Sequence, residues 1–276
     1  MITEPGIFHD VSESVYHGDS GLAPHLGRSL SVSGAKTLLK SPALFDYQRD
    51  HGRPPKDVFD FGHVAHKYVL GIGDQVVRVE AEDWRSKDAR AAKVEARIRG
   101  QIPILAADDD RAKAMAAAVR AHPVAGKLFT EGEPEQSAYW VDERTGVTRR
   151  ARFDWLRHDG ITDLKTAVEA SPAAVSKAIA NYGYDMQDAW YGDALEALTG
   201  ERVPFRFVFV EKSPPYLIAV YELDEESRTV GRIRNDEALA LYAQCSADDS
   251  WPGYPEAIQS ISTPTWHTRP YQGVLL

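Results

Sequence analysis

The chain has 276 residues, 43% of them hydrophobic and 26% charged, close to ordinary globular usage, which excludes disorder as its main state and allows one large domain or two small ones. Thirty-two Lys and Arg against 41 Asp and Glu give a net charge of −9, which argues against a general nucleic-acid binder, although a nuclease needs positive charge only along its groove and carboxylates at its metal. The single cysteine, Cys245, excludes an internal disulfide, a Cys-rich zinc site and a Cys-ligated iron–sulfur cluster within one chain, so any metal must be held by oxygen and histidine ligands.

Residues 1–10 carry Glu4, His9 and Asp10 and lack a basic stretch followed by an apolar one, and no apolar run approaches the ~20 residues that span a bilayer. A cytoplasmic protein with no membrane partner is expected. Ser33 is suited to cap a short helix at 34–40, and Ser41-Pro42 opens the next at 43–50, which Gly-Arg-Pro-Pro at 52–55 ends. Between 60 and 70, Phe61, Val64, Ala65 and Tyr68 fall at i, i+3, i+4 and i+7, a helical stripe from which His66 is displaced. A short strand is predicted at 76–80. A helix follows at 86–99, with Ala91, Val94 and Ile98 as its apolar side and Arg90, Lys93 and Arg97 on a neighbouring face. The helix at 108–121 starts with three Asp residues, favourable at the positive end of the helix dipole, and stops at His122-Pro123.

After Pro134 the period becomes alternating. Strands at 135–141, 147–157 and 161–167, joined by turns at 143–146 and 158–160, read as a three-stranded antiparallel meander. Helices at 171–181 and 185–198 follow, then strands at 203–210 and 217–223 around a Ser-Pro-Pro turn, a helix at 224–245 and an irregular Pro- and Trp-rich tail at 251–276.

The turn at 158–160 sets which side chains meet. A two-residue loop at His158-Asp159 pairs Asp154 with Asp163, and a loop at Asp159-Gly160 pairs Asp154 with Lys165. Either register is even, so Asp154, Asp163 and Lys165 are expected on one face, within roughly 5 to 8 Å at Cβ. Two carboxylates so placed repel, and a divalent cation removes that penalty. One or two carboxylates plus a substrate phosphate are what Mg²⁺ prefers, and a lysine beside it stabilises developing charge. Taken alone, the same triplet also fits a solvated sheet face. Arg150 and Arg152 alternate onto the Asp154 face, beside Arg149, where guanidinium groups would line a phosphate backbone.

His66 on a helix, Glu135-Gln-Ser-Ala-Tyr-Trp140, Arg150-Ala-Arg-Phe-Asp154, Ile161-Thr-Asp-Leu-Lys-Thr166 and Tyr184-Asp-Met-Gln187-Asp-Ala-Trp-Tyr191 occur in that order. This series resembles the PD-(D/E)XK nuclease superfamily, and within it the phage and prophage exonuclease VIII group, related to the nuclease domain of the RecB helicase–nuclease. The Ser-Val-Ser-Gly-Ala-Lys opening at 31–36 and Lys-Ser-Pro-Ala-Leu-Phe at 40–45 also resemble such domains, so coverage runs from about 30 to 225. One departure is Phe153, which stands where the superfamily's name has Pro.

The resemblance implies an α/β fold, a restriction-endonuclease-like core whose central mixed sheet is flanked by helices. It implies one nuclease domain over 1–276, with a helical part at about 30–130, the catalytic sheet at about 131–225 and a C-terminal helix and tail at 226–276. It makes Asp154 and Asp163 metal-binding carboxylates, the Leu164 carbonyl and His66 further ligands, Glu135 an additional ligand, and Lys165 the catalytic lysine. Gln187 and Tyr191 become the pair that contacts DNA or orders that lysine. The implied cofactor is Mg²⁺ or Mn²⁺, and the implied activity is processive 5′→3′ degradation of linear double-stranded DNA, leaving 3′ single strands for an annealing partner in recombination. An endonuclease on the same scaffold and a non-catalytic interaction module are the alternatives. Arg149, Arg150, Arg152, Arg90, Lys93 and Arg97 are the expected DNA contacts. An acidic chain that holds DNA through many turnovers is expected to bring such residues together in a ring of three or four copies, as in that group.

Overall fold

The alternating stretch after Pro134 folds as the expected meander, and the rest of the chain is arranged around it. The computed structural model describes residues 2–18, 21–52 and 57–271. In chain order the elements are β1 (Gly6–Phe8), α1 (Glu13–Gly18), β2 (Leu30–Ser31), α2 (Val32–Lys40), α3 (Pro42–His51), α4 (Asp57–Leu70), β3 (Val76–Val79), α5 (Lys87–Ile98), β4 (Ile102–Leu105), α6 (Ala106–Ala121) and α7 (Ala125–Leu128). They continue with β5 (Glu133–Val141), β6 (Thr148–Arg157), β7 (Gly160–Ala167), α8 (Pro172–Tyr182), α9 (Tyr184–Thr199), β8 (Phe205–Glu211), β9 (Ile218–Tyr221), α10 (Glu225–Asp248) and α11 (Thr265–Thr268).

The main sheet has the order β1-β5-β6-β7-β8-β9, and β2 pairs with β6. β5, β6 and β7 are antiparallel neighbours, whereas β8 returns parallel to β7 after a crossover through α8 and α9. That position explains the composition of β8, which is covered on both faces and therefore carries an apolar run. Phe207 and Phe209 pack with α9 residues Met186 and Trp190, while Val208 and Val210 pack with Val64 of α4 and Met115 of α6. The mixed sheet is thus flanked by α2, α9 and α10 on one face and by α4 and α6 on the other. Among the described residues no helix is long and apolar enough to cross a membrane.

The hairpin adopts the first of the two registers, Arg157↔Gly160, Leu156↔Ile161 and Trp155↔Thr162, and the ladder ends there. Upstream, the edge of β6 is taken by β2 instead, through Leu30↔Arg149 and Ser31↔Arg150. β6 and β7 therefore separate where Asp154 and Asp163 stand.

Several local expectations are corrected. α2 starts at Val32, and its cap is Ser31, whose Oγ accepts from Gly34 N at 3.2 Å, because Ser31 ends a strand in the extended conformation a cap requires. α5 buries Ala89 and Ala96 and leaves Val94 and Ile98 57% and 81% exposed, so its small residues face inward. Close approach to the small parallel sheet β3–β4 decides this orientation over side-chain hydrophobicity. β1, α1, β2, β4, α7 and α11 are outside the expected elements; all are short, Pro103 interrupts the pattern of β4, and α11 places one helical turn in the tail expected to be irregular. Arg-Pro-Pro at 53–55 and the last five residues of the tail lie outside the described residues.

α10 is seated on α9 at Gly231, where an added Cβ would lie 2.1 Å from the Asp185 carbonyl oxygen. Gly231→Ala is expected to cost about 2–3 kcal/mol by chemical denaturation, the overpacking range. Gly192→Ala, where a Cβ meets nothing within 4 Å, is expected to gain up to about 1 kcal/mol from helix propensity.

Candidate active site

The stripe on α4 forms as predicted, with Phe61, Val64 and Ala65 buried, and this turns the adjacent His66 toward the gap between β6 and β7. His66 Nδ1 lies 2.9 Å from the Gly62 carbonyl. A carbonyl only accepts, so Nδ1 carries a hydrogen and Nε2 faces Asp154 Oδ2 at 3.0 Å. The same Oδ2 accepts from Leu164 N at 2.9 Å, across the gap the ladder leaves. It is the Leu164 amide, not its carbonyl, that this contact uses.

Asp163 is 1% exposed. Its Oδ1 accepts from Gln187 Nε2 at 2.6 Å, and Lys165 Nζ lies 2.5 Å from its Oδ2. Lys165 Nζ also sits 4.9 Å from the centre of the Tyr184 ring. The expectation of one shared face is met only in part. Asp154 finds its partner on α4 and Asp163 finds its partner on α9, because the strands no longer pair beyond Trp155 and Thr162.

The ionisation pattern follows from burial against paired charge. Burial pushes Asp163 up to about 6, with Lys165 opposing and Asp154 adding to the shift. Burial would raise Asp154 too, but the charge and hydrogen bond of His66, then Lys165, hold it below the ordinary carboxylate value. His66 is itself lifted to about 9: burial pulls it down, and the Asp154 charge and hydrogen bond more than offset that. Lys165 is held above its ordinary value against burial by Asp163 and Asp154. Two carboxylates and two cations thus balance.

Glu135 stands opposite Asp154 in the β5–β6 register, between Pro134↔Trp155 and Gln136↔Phe153. Its backbone is in the left-handed region, φ 52°, an outlier that costs a non-glycine residue about 1–3 kcal/mol and clusters at functional positions. Burial and then Asp154 push its carboxyl up to about 7. With His66, Asp154 and Arg152 it lines a cavity of about 730 Å³, whose other walls include Glu13 and His17 of α1 and His63 of α4.

Tyr191 does not reach the carboxylates. Its ring packs edge-on against Phe153 and Phe205, and its hydroxyl bonds the Arg152 backbone, so it braces β6. The basic run is largely used within the fold, which corrects its reading as a surface track. Arg149, 5% exposed, stacks between Trp140 and Trp190 and pairs with Asp142 and Asp193. Arg150 donates to the Ser29 carbonyl and hydroxyl, and Arg152 to Ser137 Oγ, Val11 O and Glu13. Arg90, Lys93 and Arg97 lie on α5, which packs on β3 and β4, and Lys93 covers the Trp84 ring. Tyr184 is the site residue that the sequence reading passed over, although it opens the segment that carries Gln187.

Among the described residues no three His, Cys, Asp or Glu side chains converge as a ready metal cage. The donor set of Asp154, His66 and Asp163 instead suits a cation that keeps water and substrate oxygens in its shell, as Mg²⁺ does.

The sequence profile of the family described as "PDDEXK-like domain of unknown function (DUF3799)" matches residues 31–264. No curated protein matches the chain. Among solved structures, a "Putative exonuclease" from Eubacterium rectale is similar with a TM-score of 0.64 at 14% identity, covering 96% of this chain and 99% of that one. An alkaline exonuclease (LHK-Exo) from Laribacter hongkongensis reaches a TM-score of only 0.26 at 16% identity, over 70% of this chain and 96% of that one, too low to carry an argument.

In metal-free protein, His66 is expected to titrate near 9 by NMR. Asp154→Asn should lower it, since the largest influences that oppose burial are then lost and only the Gly62 hydrogen bond still raises it. The folded His66 value lies above the unfolded one, so the stability linked to His66 is present below about pH 6.5 and is lost as pH rises through about 9, while the part linked to the lowered Asp154 is lost at acid pH. A wild-type His66 that titrates at its ordinary value would contradict the pairing.

Proposed function

The chain belongs to the family of PDDEXK-like domains, and from that premise we propose that it is a metal-dependent nuclease, one domain over residues 1–276, that hydrolyses DNA phosphodiesters from the ends of linear duplex. The observation that carries this reading is the meeting of the Asp154–His66 and Asp163–Lys165 pairs at the opening between β6 and β7. The name of the Eubacterium rectale protein supports the exonuclease form of it. A 5′→3′ polarity, processivity, a 3′ single strand passed to an annealing partner, and a ring of three or four copies rest on the resemblance to the exonuclease VIII group.

Asp154, Asp163 and neutral His66 through Nε2 would hold Mg²⁺ or Mn²⁺, with the Leu164 carbonyl and Glu135 as further oxygen donors. When bound, such an ion supplies Lewis acidity toward the phosphate and toward an attacking water. Lys165, kept charged by Asp163 and Asp154, acts as an electrostatic support that holds the nucleophile and the phosphate oxygens, and is no general base. Gln187 fixes the orientation of Asp163, and the Tyr184 ring limits where the lysine head can go. The Gly62 carbonyl keeps the His66 ring turned so that Nε2 faces the carboxylates.

End-labelled linear duplex and a closed circle, incubated with Mg²⁺ and then with EDTA, test the activity. Loss of the linear substrate with the circle spared, stopped by EDTA, is expected; cutting of the circle indicates an endonuclease, and no cleavage of either indicates an interaction module. Asp163→Asn keeps the shape and the Gln187 contact, and should lose cleavage by at least about 100-fold. Alanine at 163 is the poorer test, since besides the charge it removes the acceptor of the Gln187 amide and leaves a hole beside the buried Lys165. Lys165→Ala should keep duplex binding in Ca²⁺ within about threefold while losing most of the rate. Equal loss of both would make it a backbone contact.

A further inference from the structure

We infer that Lys36 of α2 forms, with Lys165 on the same Tyr184 ring, a second phosphate position of the site, which takes a DNA backbone phosphate next to the scissile one. The inference rests on the nuclease reading and adds Lys36, which that reading does not use.

Lys36 lies on the flank of α2, next to the packed positions Ala35 and Leu38. Its stem runs over Gly183, where an added Cβ would lie 3.2 Å from Lys36 Cε and 3.4 Å from Cδ. Gly183 has φ +62° and joins α8 to α9. That position excludes a side chain for two independent reasons, its backbone and the lysine it carries. The stem is thereby directed to the Tyr184 ring, whose centre is 5.7 Å from Lys36 Nζ and 4.9 Å from Lys165 Nζ. Two ammonium groups flank one ring.

The anions near them are already engaged. Asp163 is held by Lys165 and Gln187, and Asp185 accepts from Arg234 at 3.1 and 3.2 Å. Among the described residues Lys36 makes no salt bridge; Tyr184 is the partner of its ammonium. Burial, and next the Lys165 charge, pull it down to about 7. A half-buried cation beside another cation costs stability unless an anion arrives. A structural lysine would be better replaced by an apolar residue of the same length. A phosphodiester oxygen supplies both the charge and the acceptor that the compact lysine head lacks.

The test uses Lys36→Met and Lys36→Arg in the full chain. Binding to linear duplex is measured in Ca²⁺ over a salt series, and steady-state cleavage in Mg²⁺. Lys36→Met should fold with an equal or higher Tm, weaken binding about five- to tenfold, and reduce the slope of log affinity against log salt by about 0.9. KM should rise with kcat within about threefold, and Lys36→Arg should restore most of the affinity. Unchanged affinity and salt slope in Lys36→Met while the wild type cleaves would overturn the inference and leave the nuclease reading standing. A fall in kcat with unchanged binding would overturn it as well. Lys36-dependent duplex binding by a wild type that cleaves nothing would defeat the nuclease reading alone, and no binding by the wild type would defeat both.

Discussion

Two carboxylates must be kept usable side by side in a place shielded from water, and the architecture around β6 and β7 follows from that constraint. Repulsion and burial both favour the neutral acids. The fold answers with one cation for each: His66 from α4 holds Asp154 ionised, and Lys165 limits the rise at Asp163. The two partners approach from different sides of the sheet. This is possible only because β2 takes the β6 edge upstream and frees β7 to diverge.

The helical layer on the α9 side turns that opening into a defined site. Tyr184, Gln187 and Tyr191 fall at i, i+3 and i+7 on α9, one stripe that touches Lys165, Asp163 and the β6 backbone in turn. α9 is held in place by α10, through the close contact at Gly231, the Asn235 amide on the Met186 carbonyl at 3.0 Å and the Arg234–Asp185 pair. Packing far from the chemistry therefore governs where Gln187 and Tyr184 stand. On the opposite side, α1 and the kink at Glu135 shape the cavity beside Asp154.

The parts of the site legible in the sequence are those fixed by short-range periodicity. The hairpin turn limits Asp154 and Asp163 to two registers, and the apolar stripe of α4 predicts a helix with His66 at its margin. The resemblance adds Gln187, which does meet Asp163. The failures have a common physical source in tertiary covering. Alternation correctly separates Arg149 from Arg150 and Arg152, but it cannot say that two tryptophans close over Arg149 or that α1 and the segment before β2 absorb the other two. The same holds for α5, where proximity to β3 and β4 selects alanines over Val94 and Ile98 for burial. Lys36 closes the Ser-Val-Ser-Gly-Ala-Lys stretch, but nothing in that stretch points it at the site, since its placement depends on a glycine almost 150 residues away in the chain.

The central claim is that Asp154, Asp163 and His66 together form one divalent-cation site. Calorimetric titration of Mn²⁺ into the wild type, Asp163→Asn and His66→Gln, without DNA, tests it directly. The account predicts saturable binding by the wild type that weakens at least about tenfold in each variant, the scale on which loss of a ligand acts. Equal Mn²⁺ affinity in all three proteins would contradict it.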